Sequence, residues 1–327
     1  MHKLLTMSCF YHPTTVILVD DDEDFLRRMV QLLNRLVPHI MVKTFSNPNK
    51  ALEYVNSVKN LSVALTPLFS ADDYLPASGS APFALDVSHI YEQAADPKIF
   101  DQISVAVVDY NMPNQMSGEE FCNAIADTHV KRIMLTGEAD AELGVNLLNN
   151  GIIDKFLIKL QPDLEEKLAQ YIYLMKKTYF QDLSAPLLRN LSPNMCTGLS
   201  DPAFVTLFHR ICQECNIVSY YLLDFSCSFL LIDEKGNLAW LIVKTQKDID
   251  EYLDFIQDTE VSDDIVDSIK NKEKIPYFYT QKDYMHSIDP AFPLEKYLYP
   301  ATELIGETPY YYCLAREVHD FPLKKSK

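Results

Sequence analysis

Val105-Ala-Val-Val-Asp109-Tyr-Asn-Met-Pro113 is the stretch on which the reading of this chain turns. Four small or β-favouring apolar residues run straight into an acid, and turn chemistry follows within a few positions. A buried parallel strand that stops at a carboxylate has this pattern. The C-terminal end of such a strand faces the crevice where open α/β sheets place their ligands. An Asp after a strand is more often a helix cap or turn former, so Asp109 acquires meaning only from its company.

Three other stretches supply it. Val16-Ile-Leu-Val19 runs into Asp20-Asp21-Asp22 and then into an apolar-periodic helix. Ile133-Met-Leu135 ends in Thr136, and Phe156-Leu-Ile-Lys159 ends in a lysine. Four expected strands therefore end, in order, in Asp-Asp, Asp, Thr and Lys. In a doubly wound sheet those ends converge on one crevice. Asp20 and Asp21 beside Asp109 concentrate negative charge that a hard divalent cation would offset, and Mg2+ takes carboxylates together with water and phosphate oxygens. Lys159 offers a compact ammonium for phosphoryl oxygens, and Thr136 a hydroxyl donor. The set suits phosphoryl transfer to a protein carboxylate, a reaction that depends on positioning and charge stabilisation.

The constellation resembles the receiver domain of two-component response regulators, over about residues 14–161. The resemblance implies a flavodoxin-like, doubly wound parallel sheet of five strands in the order 2-1-3-4-5. It implies that Asp109 is the phosphoacceptor, that Asp20, Asp21, Asp109 and the Asn111 backbone carbonyl organise Mg2+, and that Thr136 and Lys159 bind the phosphoryl group. Phe156 becomes the aromatic whose rotamer follows Thr136, and a histidine kinase or phosphotransfer protein becomes the expected donor. Three departures stand out. The loop Asn114-Gln-Met-Ser-Gly118 is one residue longer than usual. Leu160 replaces the usual proline after the lysine, which puts a cis peptide there in doubt. A long insertion at about 60–100 precedes the Asp109 strand.

Around this frame, Asp22 or Asp24 caps a helix carrying Phe25, Leu26, Met29, Val30, Leu33 and Leu36. Ile40 to Phe45 reads as the second strand, and Asn47-Pro48 opens a helix ending near Val58. Ser70 to Pro82 reads as a loop and Val87 to Ala95 as a short helix. Helices from Gly118 and from Ala139 bring Phe121, Ile125, Leu143, Val145 and Leu148 to the core, and Gly151 caps the second. A connecting helix, 162–183, has Leu164, Leu168, Tyr171, Ile172, Met175 and Tyr179 on one stripe. Tyr173, Leu174 and Phe180 lie off that stripe, which suggests a phosphorylation-dependent homodimer or a contact with the rest of the chain.

Residues 1–13 read as an N-terminal extension and 184–200 as a linker, within a C-terminal output domain assigned to 184–327. There Asp201-Pro202 caps a helix. Strands are expected at Ile217 to Leu223, Ser228 to Ile232, Leu238 to Val243, Pro276 to Thr280 and Tyr310 to Ala315, and helices at Ile249 to Gln257 and Asp263 to Asn271. These make an α+β unit with a mainly antiparallel sheet. The overall architecture, a receiver with an insertion, a tyrosine-rich connecting helix and an output domain lacking a helix-turn-helix, resembles a small bacterial group that includes regulators proposed for α-hydroxyketone quorum sensing.

The formal charge of −17 over 327 residues argues against broad binding to nucleic acid or anionic lipid. Residues 184–327 hold 14 Lys plus Arg against 22 Asp plus Glu, a poor footprint for DNA. Seven scattered cysteines form no disulfide framework, which points to reduced cytoplasm. His209, Cys212 and Cys215, spaced by three along one helix, make a poor zinc site, with buried small cysteines as the plainer reading. Signal-peptide and membrane-span patterns are absent from the sequence. An output domain that binds a protein or small ligand is favoured over a nucleotide-using enzyme or an atypical DNA binder.

Overall fold

The computed structural model describes residues 7–37, 40–58, 97–137, 141–189, 195–279 and 281–319. The loop and helix expected within 60–96 lie outside the described residues. Two compact units are formed among the described residues: one from 12–58 and 97–189, the other from 7–11 and 195–319. The chain starts in the second of these, as a short strand β1 (Phe10–Tyr11), and then enters the first.

That first unit alternates β2 (Thr15–Val19), α1 (Glu23–Leu36), β3 (Met41–Phe45), α2 (Pro48–Val58), β4 (Ile103–Asp109), α3 (Gly118–Ala124), β5 (Lys131–Thr136), α4 (Ala141–Asn149), β6 (Lys155–Ile158) and α5 (Leu164–Arg189). The five strands pair in parallel in the order β3-β2-β4-β5-β6, the expected 2-1-3-4-5 arrangement. Strand side chains alternate between faces. Val16, Leu18, Val105, Val107, Ile133 and Leu135 pack beneath α1 and α5, whereas Ile17, Val19, Ala106, Val108 and Met134 pack beneath α2, α3 and α4. Both faces are covered, and so these strands read as continuous apolar runs.

Several helix expectations need correction. In α4, Val145 and Leu148 are 53% and 41% exposed, and Leu147 is the buried residue. The pair packing inward is Leu143 and Leu147, four apart, so the helix is rotated from the expected phase. In α1, Leu32 is buried and Leu36 is exposed. The connecting helix runs to Arg189 through Pro186, so residues 184–189 are helical rather than linker. Phe180 is fully buried, edge-on to His12 at 4.9 Å and to Tyr179 at 5.2 Å, which removes it from the surplus apolar set.

The second unit adds α6 (Pro202–Glu214), β7 (Ile217–Leu222), β8 (Phe229–Asp233), β9 (Leu238–Thr245), α7 (Gln246–Ile256), α8 (Asp263–Lys270), β10 (Lys274–Pro276), α9 (Gln281–His286), β11 (Leu298–Pro300), β12 (Thr302–Ile305) and β13 (Pro309–Ala315). Its main sheet is wholly antiparallel, ordered β1-β7-β8-β9-β13-β12. Residues 7–11 are thus no free extension. Phe10 and Tyr11 pair with Tyr221 and Tyr220, and Ser8 Oγ lies 2.8 Å from Tyr220 Oη. The strand expected at Pro276 to Thr280 is instead β10, paired with β11, and ends at Pro276.

Candidate functional site

Parallel pairing places the C-terminal ends of β2, β4, β5 and β6 along one edge of the sheet, and the four chemistry-bearing positions arrive there together. Asp20 follows β2, held by its N–H donating to the Phe45 carbonyl at 3.1 Å. Its Oδ1 accepts the Asp22 N–H at 3.0 Å, while Asp22 in turn caps α1 by accepting the Phe25 N–H at 2.9 Å. The three acids in a row therefore have separate duties. Asp20 is buried in the site, Asp21 is exposed at its rim, and Asp22 starts the helix.

Asp109 ends β4 and is buried. The next residue, Tyr110, donates its N–H to the Leu135 carbonyl at 2.7 Å, which carries the sheet one step past the acid. Thr136, buried at the end of β5, accepts the Lys159 N–H on its carbonyl at 2.7 Å, which anchors the lysine backbone. Lys159 Nζ then lies 2.7 Å from Asp20 Oδ2 and 3.0 Å from Asp109 Oδ1, with the Phe25 ring 4.8 Å away. Carboxylate oxygens of Asp20, Asp21 and Asp109 all fall within 4.8 Å of one another. No other group of three or more metal-ligating side chains occurs among the described residues.

Three carboxylates face one ammonium, so the cluster is short of positive charge. Burial pushes Asp109 up to about 6, with the Asp20 charge adding to the rise and Lys159 opposing it. Burial likewise raises Asp20, again against Lys159. For Lys159, burial pulls downward, but the hydrogen bond and charge of Asp20, then the charge of Asp109, outweigh it and hold the ammonium above its ordinary value. Hard oxygen donors in this number and with this charge deficit fit a small divalent cation such as Mg2+.

The longer loop after β4 is absorbed locally. Asn114 takes a left-handed φ of 60°, a conformation asparagine adopts readily. Ser117 forms a reciprocal capping box with Glu120 at the start of α3. Gly118 then donates its N–H to the Tyr110 carbonyl at 3.0 Å, so close that a Cβ there would sit 2.1 Å from the Asp109 carbonyl oxygen. Asn111 lies exposed on this loop. After Lys159, Leu160 is exposed, and all peptide bonds among the described residues are trans.

Phe156 is half-buried on β6, its ring packed on α4 at Gly144, where a Cβ would come within 2.7 Å of the ring. The sequence reading overlooked Gly144, although a lone glycine inside an amphipathic helix is a signal of close packing. Phe25 is a core residue as expected, and its ring also faces the Lys159 ammonium.

In the second unit, His209, Cys212 and Cys215 do not form a metal-ligating group among the described residues. Cys212 is half-buried with its thiol pushed up to about 12 by burial, and Cys215 accepts a long contact from Arg316 at 3.7 Å. Tyr221, Trp240, Tyr310 and Tyr311 are buried in the core of this unit. No helix among the described residues is long and apolar enough to cross a membrane.

No protein-family profile and no curated protein matches this chain. Among solved structures, the Legionella pneumophila response regulator LqsR matches with 30% identity and a TM-score of 0.75, over 98% of this chain and 93% of that one. A CheY-like response regulator receiver domain from Methanospirillum hungatei matches 52% of this chain and 98% of its own length, at 18% identity and a TM-score of 0.34. The first of these spans both units at an identity that marks common descent, and the chain belongs to the response-regulator family that includes the Legionella protein.

Proposed function

We propose that Asp109 accepts a phosphoryl group from a cognate histidine kinase or phosphotransfer protein, and that the C-terminal unit reads the resulting state by binding a protein or small ligand. The observation that carries this reading is the bridging of Asp20 and Asp109 by Lys159 at the edge of the sheet, beside the Asp21 carboxylate. Asp20, Asp21, Asp109 and the Asn111 carbonyl would hold Mg2+, which supplies the charge neutralisation that lets an anionic donor approach an anionic nucleophile. An Asp109 oxygen attacks phosphorus, and the leaving group departs on the opposite side. Lys159 then exchanges its carboxylate contacts for phosphoryl oxygens, and the Thr136 hydroxyl donates to the same group. Phe156 turns as Thr136 moves, a small charge event biasing a two-state surface. Chemistry in this unit is confined to its own phosphorylation and dephosphorylation.

The phosphorylated protein self-associates in this reading. Tyr173 and Leu174 on α5, 67% and 44% exposed, support it, together with exposed Val145 and Leu148 on α4. The acidic balance of the C-terminal unit favours a protein or small-molecule partner over DNA. A cytoplasmic quorum-sensing circuit, as for regulators proposed to answer α-hydroxyketones, is the setting we infer from the match to the Legionella regulator.

Incubation with Mg2+ and acetyl phosphate tests the site. Intact mass should rise by one phosphoryl group in the wild type and not in Asp109→Asn, while Lys159→Ala should retain Mg2+ binding and lose the stable phosphorylated state. Equal incorporation in Asp109→Asn would overturn the assignment.

A further inference from the structure

Two buried thiols of the second unit meet where the backbone twice takes an uncommon conformation. Cys196 has φ 53° and Cys227 φ 71°, both left-handed and both unfavourable for a residue with a side chain. Cys196 precedes the 3-10 turn Thr197–Leu199, and its N–H donates to the Phe225 carbonyl at 2.9 Å. Cys227 lies in the turn between β7 and β8, its N–H donating to the Asp224 carbonyl at 3.3 Å. The Asp224 side chain braces the same turn by accepting the Ser226 and Ser228 N–H groups at 3.1 and 2.9 Å.

These bonds set the two segments side by side and bring the Cys196 side chain into the surroundings of the Cys227 thiol. Gly198 makes the approach possible, since a Cβ there would stand 3.1 Å from Cys227 Sγ. Cys196 is 5% exposed and Cys227 1%. Tight packing of two free thiols, each held by backbone bonds, is more than buried hydrophobic filling requires.

We propose that Cys196 and Cys227 are a reversible disulfide site that pins the segment before α6 to the β7–β8 turn. The oxidant is a low-molecular-weight disulfide. The thiolate of Cys196, the more exposed of the two, attacks one reagent sulfur, forming a mixed disulfide and expelling one reagent thiolate. The thiolate of Cys227 then attacks the Cys196 sulfur and expels the second. Two protein thiols and one reagent disulfide become one protein disulfide and two reagent thiols, so two electrons pass to the reagent and each cysteine proton ends on a released thiol. Burial raises the Cys227 thiol well above its ordinary value, which makes the second step slow near neutrality and faster as pH rises.

The test uses the full-length protein equilibrated with oxidised and reduced glutathione at alkaline pH, followed by alkylation and peptide mapping. The expected product links Cys196 to Cys227, leaves the other five cysteines alkylated and raises Tm by a few degrees. Dithiothreitol should reverse both changes. The linkage should persist in Cys212→Ser and disappear in Cys196→Ser, and the wild-type map decides the question even if a variant folds poorly. A map in which both thiols stay reduced after equilibration overturns the proposal. So does one in which Cys196 keeps glutathione without passing the bond to Cys227.

Discussion

The two sheets of this protein use the same polar residue, aspartate, to opposite ends. In the parallel sheet every strand runs the same way, so each C-terminal end lies on one edge, and Asp20, Asp109, Thr136 and Lys159 meet without any help from sequence proximity. In the antiparallel sheet, ends alternate from edge to edge, and its acids are used one at a time. Asp201 caps α6 and reaches across to Glu307, Asp224 and Asp233 brace turns, and Asp248 closes a capping box with Thr245. Acids gathered at one edge repel and carry raised pKa values. Acids spent on backbone N–H groups are satisfied, and they contribute stability. The contrast predicts that the first kind of aspartate can be neutralised with a gain in stability and a loss of chemistry, and the second kind only with a loss of stability and no change in chemistry.

The largest expected effect would break the site's geometry without touching its charges. Gly118→Ala places a methyl 2.1 Å from the Asp109 carbonyl oxygen and 2.9 Å from the Tyr110 Cα, both backbone atoms that cannot swing away. A loss of about 3 kcal/mol is expected, with phosphorylation slowed at least tenfold. Gly151→Ala, at φ 67° with open space around it, is the control and should lose about 1 kcal/mol with normal phosphorylation. Equal stability losses in the two variants would show that the close approach is unimportant.

Next in size is Asp201→Ala in the second unit. The carboxylate is buried, accepts the Ala203 N–H at 2.9 Å and the Glu307 N–H at 2.7 Å, and its loss should lower stability by about 2 kcal/mol. Acetyl phosphate labelling should be unchanged. A drop in labelling at temperatures where the variant is folded would remove the division of labour between the two kinds of acid.

The smallest effect has the opposite sign. Asp109 is raised to about 6 in the folded protein from an ordinary 3.8, so the native state binds more protons than the unfolded chain between those values. Stability therefore falls as pH rises through that window, and the full penalty is present above about pH 6. Asp109→Asn should stabilise the Mg2+-free protein by roughly 1 kcal/mol at pH 7.5, with the gain vanishing by about pH 4. Added Mg2+ should raise the Tm of the wild type at pH 7.5 and much less that of the variant. Melting curves from pH 4 to 8 with and without Mg2+ would reveal it, and a variant destabilised at every pH would contradict the charge-deficit argument.

The site was largely legible in the sequence because each of its members terminates a strand whose apolar run is local. Val105 to Val108 need no distant information to read as buried, and the edge on which Asp109 then lies follows from parallel pairing. The less legible features depend on partners far along the chain. Phe10 and Tyr11 carry no strand signal until Tyr220 and Tyr221 are beside them. Leu147 replaced Val145 and Leu148 as the buried residue of α4 because a helix with apolar residues all round has no preferred phase until a sheet selects one. Residues 184–200 read as a linker, yet α5 continues through Pro186 to Arg189.

The sequence by itself determined the order of the elements, the strand ends that hold Asp20, Asp109, Thr136 and Lys159, and the resemblance they carry, since all of these are set by neighbours within a few residues. Tertiary structure alone decided that Phe180 packs on His12, that Gly144 receives the Phe156 ring, that Gly118 lies against the Asp109 backbone and that Cys196 meets Cys227. Each of those is a contact between separate elements of the chain. A local pattern can mark a residue for close approach, but the segment that meets it is selected by close packing of the whole unit.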